Sequence, residues 1–312
     1  MSLNVPNRHA ECQDCHNSHQ AQKGLHSLKS NAISNVLLGV NGLSPGNTTI
    51  WTQPTSFIEV QPSTQENQIC FNCHSYNGFG VAMNGVITIL GPSGTYITDQ
   101  AMEFNPENKS THPVRVSLNN QTGSLLPKAL SFNQLTSAWN SPGEQTMYCS
   151  DCHGNDQTVS SIIPDGPHGS TQKFMLRGIA QYWPKNSTGG LWSLNDVKNN
   201  FNNWQEKLFC VNCHPLYTDG VWGNNVHASI NHQGSDVYCV TCHVTVPHGA
   251  KRSRLIGYES DVSPYNYNGS GMYDKLVMTG FEKANSPQSY IKASCSNNPG
   301  TCHGTQSGNY EQ

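Results

Sequence analysis

Cys149-Ser150-Asp151-Cys152-His153 is one of six places in the 312-residue chain where a cysteine pair ends in histidine, and that recurrence decides the fold. Four more copies have the same spacing: Cys12, Cys15 and His16; Cys70, Cys73 and His74; Cys210, Cys213 and His214; Cys239, Cys242 and His243. The last copy, Cys295, Cys302 and His303, places six residues between the cysteines. All 12 cysteines are used. A disulfide framework or a zinc or iron–sulfur site needs paired cysteines, but has no reason to demand histidine directly after the second one. With 14 His in 312 residues, six coincidences would arise with a probability of about 10⁻⁸ under the C-x-x-C-H pattern.

The pattern has a chemical cause. Two thioether bonds fix a haem across a short backbone loop, and the adjacent histidine sets its imidazole under the iron as proximal ligand. Six covalently attached haem c groups, each with its iron, are therefore expected. In the sixth copy Ser296-Asn297-Asn298-Pro299-Gly300-Thr301 is a turn-forming string that folds the extra residues outward. Attachment there through one thioether, or a site without haem, stays open.

The composition fits this reading. Only 35% of residues are hydrophobic and 12% charged, with 28 Gly and 17 Pro, against roughly 45–50% and about 25% in ordinary soluble domains. Six macrocycles would provide the apolar surface that the side chains lack, and without haem the chain should not fold. The net charge of −3 argues against a nucleic-acid partner, which requires a basic surface, and against charge-driven disorder. No segment approaches the ~20 apolar residues of a membrane span. The first thirty residues contain no apolar signal-peptide core, so a secretion signal is expected to be missing from a mature form.

Eight histidines remain after the six proximal ones: His9, His19, His26, His112, His168, His227, His232 and His248. Six irons closed by a second imidazole would use six of them. His168 and His248 each lie between Pro and Gly, on a stiff turn that permits close approach to a flat ring. His112 precedes Pro113 and is held extended. His227 and His232 fall in the short interval between Cys213 and Cys239. His19 is too close to His16 to reach the far face of the same haem, so its target is another one. His9 and His26 are left out. The seven Met recur at no fixed offset from the motifs and are read as core filling.

Secondary structure is expected to be sparse: mostly irregular coil with few short helices and a small β-hairpin, wrapped around a chain of six haems as one unit, 1–312. Leu194, Val197, Phe201, Trp204 and Leu208 recur at helical spacing, predicting a helix from Asn195 to Phe209. A second is expected from Leu28 to Leu38. Alternating β-branched residues from Val81 to Thr98 point to a hairpin or meander. Asp99 to Met147 lacks a motif and reads as a surface loop that returns His112 to a distant iron. The five N-x-S/T sequons, at Asn47, Asn108, Asn120, Asn186 and Asn268, are read as mostly coincidental.

Glu11-Cys12-Gln13-Asp14-Cys15-His16-Asn17-Ser18-His19 resembles the N-terminal segment of the hexahaem outer-surface filament cytochromes, the cytochrome nanowires of metal-reducing bacteria. The C-x-x-C-H-x-x-H signature and the number of motifs match; this chain is shorter and its sixth motif is stretched. The resemblance implies bis-histidine haems stacked in alternating parallel and T-shaped pairs. It also implies a histidine at His19 that completes a haem of the neighbouring subunit, and maturation after secretion.

The expected function is electron transfer with no enzymatic step, in a head-to-tail homopolymer at the cell surface or outside the cell, where the partners are redox proteins or extracellular electron acceptors. A monomeric periplasmic or surface shuttle is the alternative. A reductase would need an iron with an open position, and the histidine count is enough to close every iron.

Overall fold

The computed structural model describes residues 10–24, 27–79, 88–90, 96–120, 128–156, 166–177, 209–214, 231–232, 235–236, 239–266, 277–283, 290–297, 300–301 and 308–312. Among these residues the elements are short and separated by irregular backbone. The helices are α1 (Cys12–Cys15), α2 (Glu66–Cys70), α3 (Tyr76–Phe79), α4 (Gln100–Glu103) and α5 (Cys239–Cys242). The strands are β1 (Gly42–Pro45), β2 (Phe57–Val60), β3 (Thr88–Leu90), β4 (Tyr96–Thr98), β5 (Ser110–Thr111), β6 (Asn231–His232), β7 (Ser235–Asp236), β8 (Gly249–Ala250), β9 (Val277–Lys283), β10 (Tyr290–Asn297) and β11 (Gly300–Thr301).

Five antiparallel arrangements follow: β1 with β2, β3 with β4, β5 with β8, β6 with β7, and a three-stranded sheet in the order β11, β10, β9. The β3–β4 pair, with Ile89 opposite Ile97, lies inside the stretch whose alternation predicts a hairpin. The helix expected over Asn195 to Phe209 falls almost wholly outside the described residues. The one expected from Leu28 to Leu38 is absent. Lys29 has φ 66°, Ala32 bridges Gln65, and only Asn35–Leu37 makes a 3-10 turn. Asn31 is the physical reason: its amide donates to the carbonyls of Val114 at 2.8 Å and Arg115 at 3.0 Å, a cross-chain tie that competes with a helix.

The segment from Asp99 to Met147 is not a surface excursion. Ala101, Phe104, Val114, Trp139 and Met147 form a buried cluster with Phe71, and Leu43, Phe57, Cys149, Cys152 and Cys213 pack against it. This core therefore joins the second, third and fourth motifs. A second cluster of Ile256, Tyr258, Met278 and Phe281 packs against Cys242 and Ala293, joining the fifth motif to the sheet that carries Cys295.

Irregular backbone buried in this way needs partners for its carbonyls, and asparagine amides supply them. Asn67 donates to Val114 at 3.0 Å, and Asn105 to Thr48 at 3.0 Å and Thr49 at 3.1 Å. Asn108, fully buried, donates to Met102 and Glu103, both at 2.9 Å, and accepts from the Trp51 amide. A glycan on this sequon is incompatible with the fold, because the amide nitrogen is already enclosed and engaged.

Strand β8 sets the approach of the two halves. Its register pairs Ser110 with Ala250 and Thr111 with Gly249. A Cβ on Gly249 would stand 1.9 Å from the Glu103 carbonyl oxygen, which is backbone and cannot yield cheaply. Gly249→Ala is expected to lower stability by about 2–3 kcal/mol, the upper range for overpacking, read as a fall in the thermal midpoint of the purified protein.

Candidate functional site

All five regular motifs fold into the same single turn. The amide of each terminal histidine donates to the carbonyl of the first cysteine: His16 to Cys12 at 2.8 Å, His74 to Cys70, His153 to Cys149 and His243 to Cys239 at 2.9 Å, and His214 to Cys210 at 3.0 Å. The residue before the second cysteine helps to close the turn in three of them. Asp14 Oδ2 accepts from the Glu11 amide and Asp151 Oδ2 from the Tyr148 amide, each at 2.8 Å. Asn212 donates to the Phe209 carbonyl at 2.9 Å. The sixth motif uses a different device. Ser296 opposes Thr301 and Asn297 opposes Gly300 across a β10–β11 hairpin, so the chain neighbours of Cys295 and Cys302 are cross-strand partners. Directly opposed strand residues hold their Cβ atoms about 4.5–5.5 Å apart. Cys302 and His303 themselves lie outside the described residues.

The turns are arranged in sequence order. The Cys15 thiol is pushed up by desolvation and by Cys70 and Cys73 beside it. Cys149 is hydrogen-bonded to Cys70 and raised by that bond and by burial; the Sγ atoms of both lie within 4.8 Å of a Glu66 carboxylate oxygen. Cys152 is raised by desolvation, with Cys213 and Cys210 as its neighbours. Cys239 is raised first by its bond to Cys210. The first five motifs thus neighbour one another in turn through sulfur. Glu66, on the second motif's helix, also clamps the third: its oxygens accept from Ser150 N at 2.8 Å and Ser150 Oγ at 2.7 Å. No two of the eleven described cysteines form a disulfide.

Three motif histidines are docked by short 3-10 turns, which sequence reasoning missed. His16 Nδ1 meets the Val36 carbonyl at 2.9 Å, His153 Nδ1 the Phe174 carbonyl and His243 Nδ1 the Arg254 carbonyl, both at 2.8 Å. These carbonyls belong to the turns Asn35–Leu37, Lys173–Met175 and Ser253–Leu255. Phe174 with Met175, and Arg254 with Leu255, hold φ between 51° and 63°, a left-handed conformation costing of order 1 kcal/mol or more per residue and held by the surroundings. The matching signal was visible in the sequence. Pro167-His168-Gly169 leads to Phe174 over the same interval as Pro247-His248-Gly249 leads to Arg254.

With Nδ1 facing a carbonyl, Nε2 is the nitrogen left for a metal. The structure then brings imidazoles together in pairs. Ring centroids of His16 and His168 are 5.9 Å apart with an interplanar angle of 7°. His153 and His248 are 6.0 Å apart at 64°, and His112 and His214 6.3 Å apart at 57°. Two metal–nitrogen bonds of roughly 2 Å and two ring radii of roughly 1.1 Å put the centroids of opposed axial ligands about 6 Å apart. The separations are therefore those that an iron held between each pair would require. Desolvation holds His153 and His214 at a pKa of about 4 and lowers those of His74, His112 and His243. These imidazoles stay neutral near neutral pH, the form a metal binds. Val36, Phe174 and Met175, in the docking turns, are 37%, 51% and 43% exposed, apolar surface that a flat ring would cover.

The other candidates fall as follows. His74 is near His248 and Glu103 and has no imidazole partner at such a distance among the described residues. His19 is exposed, with its amide fixed by Asn17 Oδ1 at 3.0 Å. His232 lies in β6, and His9, His26 and His227 lie outside the described residues.

Residues 185–312, which carry the fourth to sixth motifs, match the NapC/NirT cytochrome c family, N-terminal region. No curated protein and no solved structure shows significant similarity to the chain. The family match supports a multihaem c-type cytochrome, with covalently bound haem c and a role in electron transfer.

Proposed function

We propose that the chain is an electron conduit in which six bis-histidine haems, one per motif, form a row in sequence order. The observation that carries this reading is the set of three imidazole pairs at axial-ligand separation, each joining a motif histidine to one remote in sequence. Haem c supplies a one-electron ferric/ferrous couple when bound. The chain's own residues would tether the ring through the motif sulfurs and hold it between imidazoles that backbone carbonyls orient, leaving no position for a substrate where such a pair stands. No acid, base or nucleophile is required. Intact mass with six added haem groups and a fully low-spin spectrum, unreactive to carbon monoxide, supports the reading; fewer haems or a reactive iron would overturn it.

The conduit extends beyond one chain as a head-to-tail filament outside the cell, a heterologous contact that does not close on itself. Support comes from the resemblance around His19 and from the exposure of that imidazole, which leaves it accessible to a neighbouring subunit. His19→Ala is expected to abolish filaments in electron micrographs while leaving six haems attached, with one iron changed in its spectrum. Persistence of filaments in that variant, or uniform native monomers at high concentration, would favour a monomeric periplasmic or surface shuttle instead.

A further inference from the structure

The Nδ1 contacts of the paired imidazoles are not all alike. Those of His16 and His153 face backbone carbonyls, as does that of His112, which meets the Pro247 carbonyl at 2.5 Å. His248 Nδ1 instead faces a carboxylate, Glu103 Oε2, at 2.5 Å. Glu103 is fully buried, and its other oxygen, Oε1, accepts from the Tyr265 hydroxyl at 2.6 Å.

The fold holds this contact firmly. Glu103 ends α4, whose first turn is capped by Asp99 accepting from the Ala101 and Met102 amides. The Glu103 carbonyl accepts from Asn108 Nδ2 and lies against Gly249, where no side chain fits. Gly249 is the neighbour of His248, so the close approach of the two backbones sets the imidazole beside the carboxylate. The Phe104 ring, with its centroid 4.8 Å from that of His248, excludes water from one side. A carboxylate polarising the outer N–H makes an imidazole a stronger donor to its metal, and a low local dielectric strengthens that effect. A stronger donor favours the more highly charged, oxidised iron.

We propose that Glu103 is a positioning residue that makes the iron between His153 and His248 the lowest in potential of the three whose axial pairs are seen. The proposal rests on the axial reading of that pair. It divides the row into unequal steps, with an oxidised-state preference at its third position.

Spectroelectrochemical titration of the haem-loaded protein, with the low-spin signals followed by electron paramagnetic resonance, tests it. Glu103→Gln keeps the shape and removes the charge. One titrating component is expected to move to higher potential with all haems still low-spin. Tyr265→Phe removes the hydrogen bond that draws charge away from His248, so the same component is expected to move lower. Opposite signs from two neighbouring substitutions are not what a merely structural role would give. Should Glu103→Gln lose haem, the Tyr265→Phe shift alone decides. Unmoved components in the variant that retains its haems, or shifts of the same sign in both, overturn the proposal. His248→Ala separates the premise: if every haem remains low-spin in that variant, the axial reading of His248 fails.

Discussion

Replacing Cys149 and Cys152 together by alanine is expected to give a protein one haem lighter by intact mass and much less stable. Both cysteines pack against the cluster of Phe71, Ala101, Phe104, Val114, Trp139 and Met147, and their turn is clamped by Glu66 through Ser150. It is tied on its other side by the Arg177 amide, which donates to the Cys152 carbonyl at 3.0 Å. Loss of the sulfurs and the ring opens a void where the second, third and fourth motifs meet. A cost of at least about 3 kcal/mol follows from the truncation of buried groups, equivalent to a fall of roughly 5 °C in the thermal midpoint of a chain this long. The same double replacement at Cys12 and Cys15 is the control. Their helix contains no buried residue, so one haem should be lost with little change in the midpoint. Equal falls in the two variants would show that the third motif has no central structural role.

His112→Ala is expected to convert one haem from low-spin to five-coordinate high-spin and to create a carbon monoxide site that the wild-type protein lacks. His112 is the imidazole opposite His214. Its position is over-determined: its amide donates to the His248 carbonyl at 2.9 Å, and Thr111 Oγ1 donates to the same carbonyl at 3.1 Å. With the backbone held at two adjacent residues, removal of the ring is expected to open a coordination position without moving the strand. His112→Met should restore a six-coordinate iron at higher potential, since a thioether ligand raises it relative to imidazole. A low-spin, unreactive spectrum in His112→Ala would remove His112 from the ligand set.

The cysteine spacing made the five regular turns legible, because the requirement for two sulfurs and an adjacent imidazole is local. Local alternation likewise located the β3–β4 pair. The prediction of a helix near Leu28 failed because Asn31 reaches across the chain to Val114 and Arg115, a tertiary tie invisible to periodicity. Reading Asp99 to Met147 as a loop failed for a related reason. Its elements are too short to show a period, yet Ala101, Met102, Glu103, Asn105 and Asn108 are all buried. Asparagine, by ordinary preference a turn residue, is at Asn31, Asn67, Asn105 and Asn108 the cross-link of an interior with little regular hydrogen bonding. The docking turns at Phe174 and Arg254 left only a faint trace, since backbone carbonyls act there and the side chains are free to differ.

Read as axial ligands, the three imidazole pairs cross motif boundaries, and this would give the molecule a sequence of assembly. A chain is made and emerges from its N-terminus onward. His16 appears long before His168, and His153 before His248, whereas His214 finds His112 already present. Of the three pairs, that of the first motif is completed at residue 168, that of the fourth at 214 and that of the third at 248. The pair of the third motif would therefore be the last of these three to close. A chain stopped between His214 and His248 would hold the pairs of the first and fourth motifs and still lack that of the third.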